Sequence, residues 1–107
     1  MSRAAAAADV FHAIADPTRR GLLDGLLAGE ASVGQLAAAF DVSLPAISQH
    51  LRVLREVGLV AERRVGRERR YRVQPEPLRA VVDWVQHFER FWNEKLDALG
   101  RHLEENP

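Results

Sequence analysis

The chain has 107 residues, 47% of them hydrophobic and 28% charged, a composition typical of one small globular domain. Its 15 basic and 15 acidic residues balance, and the absence of cysteine excludes disulfides, thiolate metal sites and thiol redox switches. No apolar run approaches the roughly 18 residues that a membrane span needs, and the alanine-rich start is too weakly apolar for a signal peptide. We therefore expect a single cytoplasmic domain over residues 1–107.

Three short helices are predicted in the first part of the chain. Apolar side chains at positions 10, 11 and 14 mark the first helix, and Asp16 and Pro17 supply an N-cap and a first-turn proline for the second. Ser32 and Gln35 have the spacing of a capping box, which opens the third helix. The leucines of the second helix form one predicted core stripe: Leu22, Leu23, Leu26 and Leu27.

A fourth helix follows a three-residue turn and ends at Gly58. Its apolar face holds Ile47, Leu51 and Leu54, whereas small and polar side chains occupy the opposite face and its flanks. Many amphipathic helices share this division. Two short helices joined by a three-residue turn are more specific, and they predict a helix-turn-helix over residues 32–57.

A basic β-hairpin is predicted next, because residues 59–65 and 69–74 flank a loop that contains glycine. Residues 43–74 carry eight arginines and three glutamates, a net charge of +5 that the rest of the chain offsets with −5. This asymmetry indicates one basic face for a polyanion. A helix-turn-helix followed by a basic hairpin is the order of a winged domain, with a wing over residues 59–74. A charged, soluble sheet edge is the open alternative.

The last predicted element is a long helix over residues 77–105. At about 1.5 Å per residue it would span roughly 40 Å, more than so small a domain needs. Its apolar stripe is continuous and comprises Leu78, Val81, Trp84, Val85, Phe88, Phe91, Trp92, Leu96, Leu99 and Leu103. The excess apolar surface predicts a cover, for which a second copy of the chain is the simplest choice and a bound ligand the alternative.

Together these elements predict a mainly α fold with a small β-hairpin wing, a winged helix-turn-helix of four helices, two strands and a final helix. Three ordered motifs resemble the ArsR family of bacterial regulators. Residues 11–20 resemble its opening signature, residues 42–54 its recognition-helix block, and residues 58–71 its wing. The resemblance implies a sequence-specific operator DNA-binding transcription regulator, usually a repressor that an inducer or a metal releases from DNA.

The resemblance also implies an obligate homodimer, joined through the first and last helices, on an inverted repeat. Its two recognition helices would enter successive major grooves about 34–36 Å apart. By position, the residues that match the family's DNA-binding stretch and wing tip are Ser43, Pro45, Ala46, Ser48, Gln49, His50, Arg52, Arg64, Arg67 and Arg69.

The chemistry of these side chains suggests individual roles. Gln49 can pair with adenine, and Arg52 can pair with guanine or a phosphate. The two serines suit phosphate oxygens, and Pro45 or Ala46 can touch a thymine methyl group. His50 lies near the apolar flank of the helix, so a packed core histidine and a DNA contact are both open interpretations.

Metal sensing, a frequent trait of the family, is not expected here. The position of the family's thiolate pair falls on Ser32 and Gly34, which cannot replace it. His102 and Glu105 match half of a last-helix zinc pattern, but its other half falls on a glutamate and a phenylalanine at positions 89 and 91. One histidine and two carboxylates make a poor tetrahedral site. We therefore predict no metal and no cofactor, whereas the inducer and any ion at His102 and Glu105 stay open.

Two other function classes are alternatives to a DNA-binding regulator. An enzyme is not expected, because no motif places a nucleophile beside a base. A winged-helix protein-interaction module without DNA binding is the alternative, although it would not need the +5 segment. Salt dependence separates them, since phosphate contacts release counterions and weaken steeply as salt rises.

Overall fold

The computed structural model of the protein describes residues 10–105. The helices are α1 over residues 10–15, α2 over Pro17–Leu26, α3 over Val33–Ala39, α4 over Leu44–Glu56, α5 over Arg79–Gln86 and α6 over Glu89–Glu105. The strands are β1 over Ala31–Ser32, β2 over Val60–Val65 and β3 over Glu68–Val73, and a 3-10 helix covers Glu76–Leu78. The strands form one antiparallel sheet in the order β1-β3-β2. This architecture agrees with the mainly α fold and hairpin wing expected from the sequence.

The predicted helix starts are present as capping hydrogen bonds. The carboxylate of Asp16 accepts a backbone N–H of α2 at 3.0 Å, and the Ser43 hydroxyl accepts one of α4 at 3.3 Å. Ser32 and Gln35 form both bonds of the capping box, at 3.2 and 2.8 Å. Because each cap satisfies a donor that the helix itself cannot, it stabilises the helix by about 1 kcal/mol.

The core lies between α2, α4 and the sheet. Its largest fully buried side chains are Leu22, Leu26, Ile47, Leu51, Leu54, Leu59 and Val60. The predicted apolar face of α4 is therefore confirmed. The predicted stripe on α2 is wrong at Leu27, which is 73% exposed. This residue lies about 120° around the helix from the midpoint of the two fully buried leucines, so it is directed away from the core.

The sheet contains one strand that was not predicted, β1, whose two residues pair with β3 opposite Tyr71 and Arg70. Two residues are too few to show a period of two, so no sequence pattern marks them. The β2–β3 hairpin, which we call the wing, turns at Gly66 with a φ of +63°, a conformation that favours glycine. Its register runs from Val60 opposite Val73 to Val65 opposite Glu68.

The single helix predicted over residues 77–105 is divided in the structure. After the 3-10 helix, α5 ends at Gln86 and α6 begins at Glu89. The N–H groups of His87 and Phe88 bond to carbonyls three residues earlier, whereas Trp92 resumes the spacing of four. This local tightening contains no proline or glycine and leaves the apolar spacing nearly helical, so the periodicity of the sequence does not reveal it.

Neither α5 nor α6 has a buried residue. Their exposed large apolar side chains are Val82, Trp84, Val85, Phe88, Phe91, Trp92, Leu96, Leu99 and Leu103. None of the helices within residues 10–105 has the length and hydropathy that a membrane span requires.

Candidate nucleic-acid interface

The outer face of α4 is exposed, and apart from Leu44, which is 53% exposed, it is small or polar at its start. The residues of this face are Ser43, Pro45, Ser48, Gln49 and Arg52, which are exposed, and Ala46, which is partly buried. The opposite face is held in the core by Ile47, Leu51 and Leu54. Because these three side chains fix the rotation of the helix, the outer residues form a preorganised surface.

The wing presents three arginines that make no hydrogen bond or close ion pair among residues 10–105. Arg64, Arg67 and Arg69 are exposed, and none makes a hydrogen bond or ion pair within residues 10–105. Arg64 and Arg69 stand directly opposite each other in the β2–β3 ladder. Like charges in this position repel and destabilise the hairpin. An anion between the two guanidinium groups would relieve that repulsion.

The other face of the wing carries a second opposed arginine pair, Arg63 and Arg70, and here the protein supplies the anion itself. Glu30 accepts two hydrogen bonds from Arg63, at 2.7 and 2.8 Å, and lies 3.9 Å from a guanidinium nitrogen of Arg70. The hydrogen bond from Arg63 is the main cause that lowers the pKa of the Glu30 carboxyl below its ordinary value. Arg63 and Arg70 thus share a bonded carboxylate, whereas Arg64 and Arg69 have none, and we call the two faces the neutralised and the unneutralised face.

A cleft of about 410 Å³ separates α4 from the unneutralised face of the wing. Three arginines, Arg52, Arg55 and Arg69, are among its lining residues, together with Ser48 and Gln49. The guanidinium of Arg52 bonds to the Glu56 carboxylate at 3.2 Å, with both side chains more than 60% exposed. Exposed pairs of this kind contribute little, so Arg52 can exchange its partner for a phosphate or a base at small cost.

The environment of His50 is intermediate between the two that the sequence allows, a packed core and an exposed DNA-contacting surface. The residue is partly buried, and its Nδ1 lies 3.3 Å from Nη1 of Arg19. A guanidinium group can only donate, so this contact is a hydrogen bond in the tautomer whose ring proton is on Nε2. Arg19 also donates to the backbone carbonyls of His12 and Ala13. His50 thus joins α4 to the end of α1, rather than packing in the apolar core.

Sequence reasoning missed the side chains that hold this surface together, chiefly Glu30, Glu62 and Arg19. Glu30 and Arg63 are 33 residues apart, and Arg19 and His50 are 31 apart. No periodic pattern connects positions at such separations. The cross-strand pair of Glu62 and Tyr71 could have been found only by fixing the hairpin register in advance.

Comparisons with known proteins agree with this geometry. The sequence profile described as bacterial regulatory protein, arsR family, matches residues 16–62. The transcriptional repressor SdpR of Bacillus subtilis is 36% identical over 80 residues, which span 75% of this chain and 89% of SdpR. The chain belongs to the ArsR family. The crystal structure of the ArsR family transcriptional regulator RHA00566 superposes on this ArsR-family protein with a TM-score of 0.76 at 34% identity, covering 86% of this chain and 95% of the other.

A second solved relative bears on assembly. The homodimeric winged helix-turn-helix DNA-binding domain of Mb0332 from Mycobacterium bovis has a TM-score of 0.65 at 33% identity, covering 78% of this chain and 81% of its own. The fold class and the family expected from the sequence are thereby confirmed. This ArsR-family protein is a DNA-binding transcriptional regulator, and the family's members are regulators and not enzymes.

Proposed function

We propose that this protein is a homodimeric repressor that binds an inverted repeat in operator DNA through α4 and the wing of each protomer. The observation that carries the proposal is the opposed pair Arg64 and Arg69, which forms no hydrogen bond or close ion pair among residues 10–105 and lies on the face towards α4. A DNA phosphate supplies the missing negative charge. As a DNA-binding regulator, the protein would act in the cytoplasm.

The start of α4 enters the major groove in this proposal, and the wing follows the sugar–phosphate backbone. Gln49 reads adenine and Arg52 reads guanine or binds a phosphate. Ser43 and Ser48 bind phosphates, and Pro45 or Ala46 contacts a thymine methyl group. The remaining assigned contacts, at the edge of the helix and on the wing, are His50, Arg64, Arg67 and Arg69. Wing arginines act on every sequence alike, so base discrimination rests on α4.

The second copy is proposed to cover the apolar surface of α5 and α6. Trp84, Val85, Phe88 and Trp92 line an apolar depression of about 360 Å³. The ring of Phe11 in α1 meets Trp84 edge-to-face at 5.9 Å, so the apolar surface continues onto the first helix. An apolar surface of this extent is typical of a permanent interface. The homodimeric relative Mb0332 supports a second copy as its cover. Residues 77–105 are accordingly assigned to dimerisation.

We further propose that no metal controls DNA binding. The chain has no cysteine, and within residues 10–105 no three His, Asp or Glu side chains are grouped so that they could hold a metal ion. Operator affinity should therefore be the same in EDTA as in Zn²⁺ or arsenite. A tenfold change on adding either would contradict this part of the proposal.

The experiment that tests the whole proposal is a selection of bound fragments from genomic DNA, followed by anisotropy titrations of the selected site at several salt concentrations. We expect the logarithm of the binding constant to fall linearly with the logarithm of salt concentration, by about 0.9 for each phosphate contact. The selected sites should share an inverted repeat. Affinity that barely changes with salt would favour a protein-interaction module instead.

A further inference from the structure

We propose that Arg55, Glu62 and Tyr71 form a positioning unit that fixes the angle between α4 and the wing, so that both can reach one DNA duplex. This inference rests on the proposed DNA binding. It adds a role for three side chains to which the proposed function assigns no DNA contact. We call these three residues the wing brace.

The wing brace converges on one carboxylate oxygen. The Tyr71 hydroxyl donates to Oε2 of Glu62 at 2.8 Å, and Nη1 of Arg55 donates to the same oxygen at 2.7 Å. Arg55 belongs to the last turn of α4, Glu62 to β2 and Tyr71 to β3. A single atom thus connects the recognition helix to both strands of the wing.

The brace has one rigid member and two that are partly shielded from water. The Tyr71 side chain is part of the core, with the residue only 5% exposed, and it stands directly opposite Glu62 in the ladder. The side chains of Glu62 and Arg55 are 24% and 45% exposed. The hydrogen bond from Tyr71 is the largest cause that lowers the pKa of Glu62, and the charge of Arg55 adds to it. Glu62 is therefore ionised at neutral pH and holds both donors.

The connection that the brace bridges is short, and the base of the wing is also held by the core packing of Leu59, Val60 and Tyr71 and by the pairing of β3 with β1. Only residues 57–59 link α4 to β2, with Gly58 at a φ of +81°. The N–H of Leu59 bonds to the carbonyl of Leu54 at 2.9 Å, which fixes the start of the strand. Among the side-chain hydrogen bonds of residues 10–105, those of the brace are the ones that join α4 to the wing beyond the start of β2.

The brace controls the positions of the DNA-facing arginines relative to α4, because it lies closer to the base of the wing than they do. Arg64 and Arg69 follow Glu62 and Tyr71 by two ladder positions on the same face, a distance of about 7 Å. Arg67 lies in the two-residue turn just beyond Val65, so it is more than about 10 Å from Glu62 along the strand direction. A small rotation of the hairpin about its start therefore moves the phosphate-binding groups by several ångströms relative to α4.

The Glu62→Gln substitution tests the brace, because the brace and charge alone predict opposite changes in operator affinity. Removing a negative charge from a surface that binds a polyanion strengthens binding if charge alone matters. If Glu62 positions the wing, operator affinity should instead fall about 5- to 10-fold. The matched control is Glu68→Gln at the exposed wing tip, whose partner is Arg70 and not α4. Its affinity should stay equal or rise.

A double-mutant cycle with Arg67→Ala gives the second readout. In the otherwise unchanged protein, Arg67→Ala should weaken DNA binding several-fold. In the Glu62→Gln or Tyr71→Phe background that factor should shrink towards one, because the wing no longer reaches the phosphates together with α4. Arg55→Lys should retain more affinity than Arg55→Ala, since lysine still supplies a donor. Circular dichroism and the thermal midpoint verify folding, and Tyr71→Phe replaces Glu62→Gln if the latter unfolds.

The outcomes separate the brace from DNA binding itself. Unchanged or stronger binding by folded Glu62→Gln, with an undiminished Arg67→Ala effect, overturns the brace and leaves the DNA-binding proposal intact. If the unmodified protein binds DNA without salt dependence, both proposals fall together. Weaker binding by Glu62→Gln, with normal binding by Glu68→Gln and a reduced Arg67→Ala effect, supports the brace.

Discussion

Two regions of the molecule expose different kinds of unpaired surface. They are the winged helix-turn-helix, residues 10–73, and the two C-terminal helices, residues 79–105. The first region buries most of its large aliphatic side chains in a core of its own, and its wing has arginines without a bonded carboxylate. The second region has a regular apolar stripe and no buried residue. These arginines of the first region lack a bonded counter-charge, and the apolar stripe of the second region lacks a cover.

This difference indicates two kinds of partner. Unneutralised arginines attract a polyanion, because no bonded carboxylate of the protein offsets their positive charge. Exposed tryptophans and leucines need an apolar surface of matching shape, which another copy of the same helices supplies. Substitutions on one surface should therefore affect assembly, and substitutions on the other should affect DNA binding directly.

The largest effect is expected for Trp92→Glu on the C-terminal stripe. Trp92 is 56% exposed, so the substitution should leave the protomer folded and break the dimer. A monomer engages one half-site, and operator affinity should then fall about 100-fold or more because the avidity is lost. Sedimentation and anisotropy titrations measure the two results. Leu27→Glu, at an apolar residue 73% exposed on α2, is the control and should remain dimeric. A dimeric Trp92→Glu variant would contradict the assignment of this interface.

The next effect is expected for the double substitution of Arg64 and Arg69 by alanine. Loss of two phosphate contacts in each protomer, four in the dimer, should flatten the salt slope by about 3.6 units and weaken binding at least about 30-fold at 0.15 M salt. The hairpin should become no less stable, since two opposed like charges disappear. Arg63→Ala on the neutralised face is the matched control and should change the slope little. Equal effects of both variants would mean that the two faces are not functionally distinct.

A smaller effect is expected for Gln49→Ala on the outer face of α4. If Gln49 pairs with adenine, the preference for operator over unrelated DNA should fall by at least about 1 kcal/mol, a factor of about five. Competition titrations with both DNAs measure the preference. Affinity for unrelated DNA serves as the internal control and should stay constant. An equal loss on both DNAs would reassign Gln49 to the phosphate backbone.

The smallest effect concerns acid stability. Asp16, Glu30 and Glu62 all have carboxyl pKa values below the ordinary ones, owing to a backbone N–H, to Arg63 and to Tyr71, respectively. Because their folded pKa is below the unfolded pKa, their stabilising contribution is present above about pH 5 and is lost as pH falls through the folded pKa. Urea midpoints between pH 7 and 3 should decline, and less steeply in Glu62→Gln. An identical decline in that variant would show that Glu62 does not contribute.

Short-range features of the molecule were predictable because both partners of each contact lie close in the chain. The caps at Asp16, Ser32 and Ser43 follow from residues three positions away. The buried face of α4 follows from its period, and the hairpin follows from Gly66 between two alternating segments. The resemblance to the ArsR family extended these local features to the order of the whole fold.

The division of the last helix and the exposure of Leu27 were not predictable from the same patterns. Apolar spacing reports which side of a helix is hydrophobic, and it does not report a single turn of tighter hydrogen bonding such as that at residues 87–88. The edge of a stripe is also ambiguous. Leu23 and Leu27 are one turn apart, yet Leu23 is 9% exposed and Leu27 is 73% exposed.

By itself the sequence determined the first four helices, the hairpin, the basic segment and the apolar excess of the C-terminus, since each is encoded in neighbouring residues. Only the tertiary structure decided which arginines are neutralised. Glu30 reaches Arg63 across 33 residues, and Glu62 joins Arg55 to Tyr71 between a helix and two strands. Such pairings depend on how elements pack, because an ion pair forms wherever folding brings opposite charges together, whatever their separation along the chain.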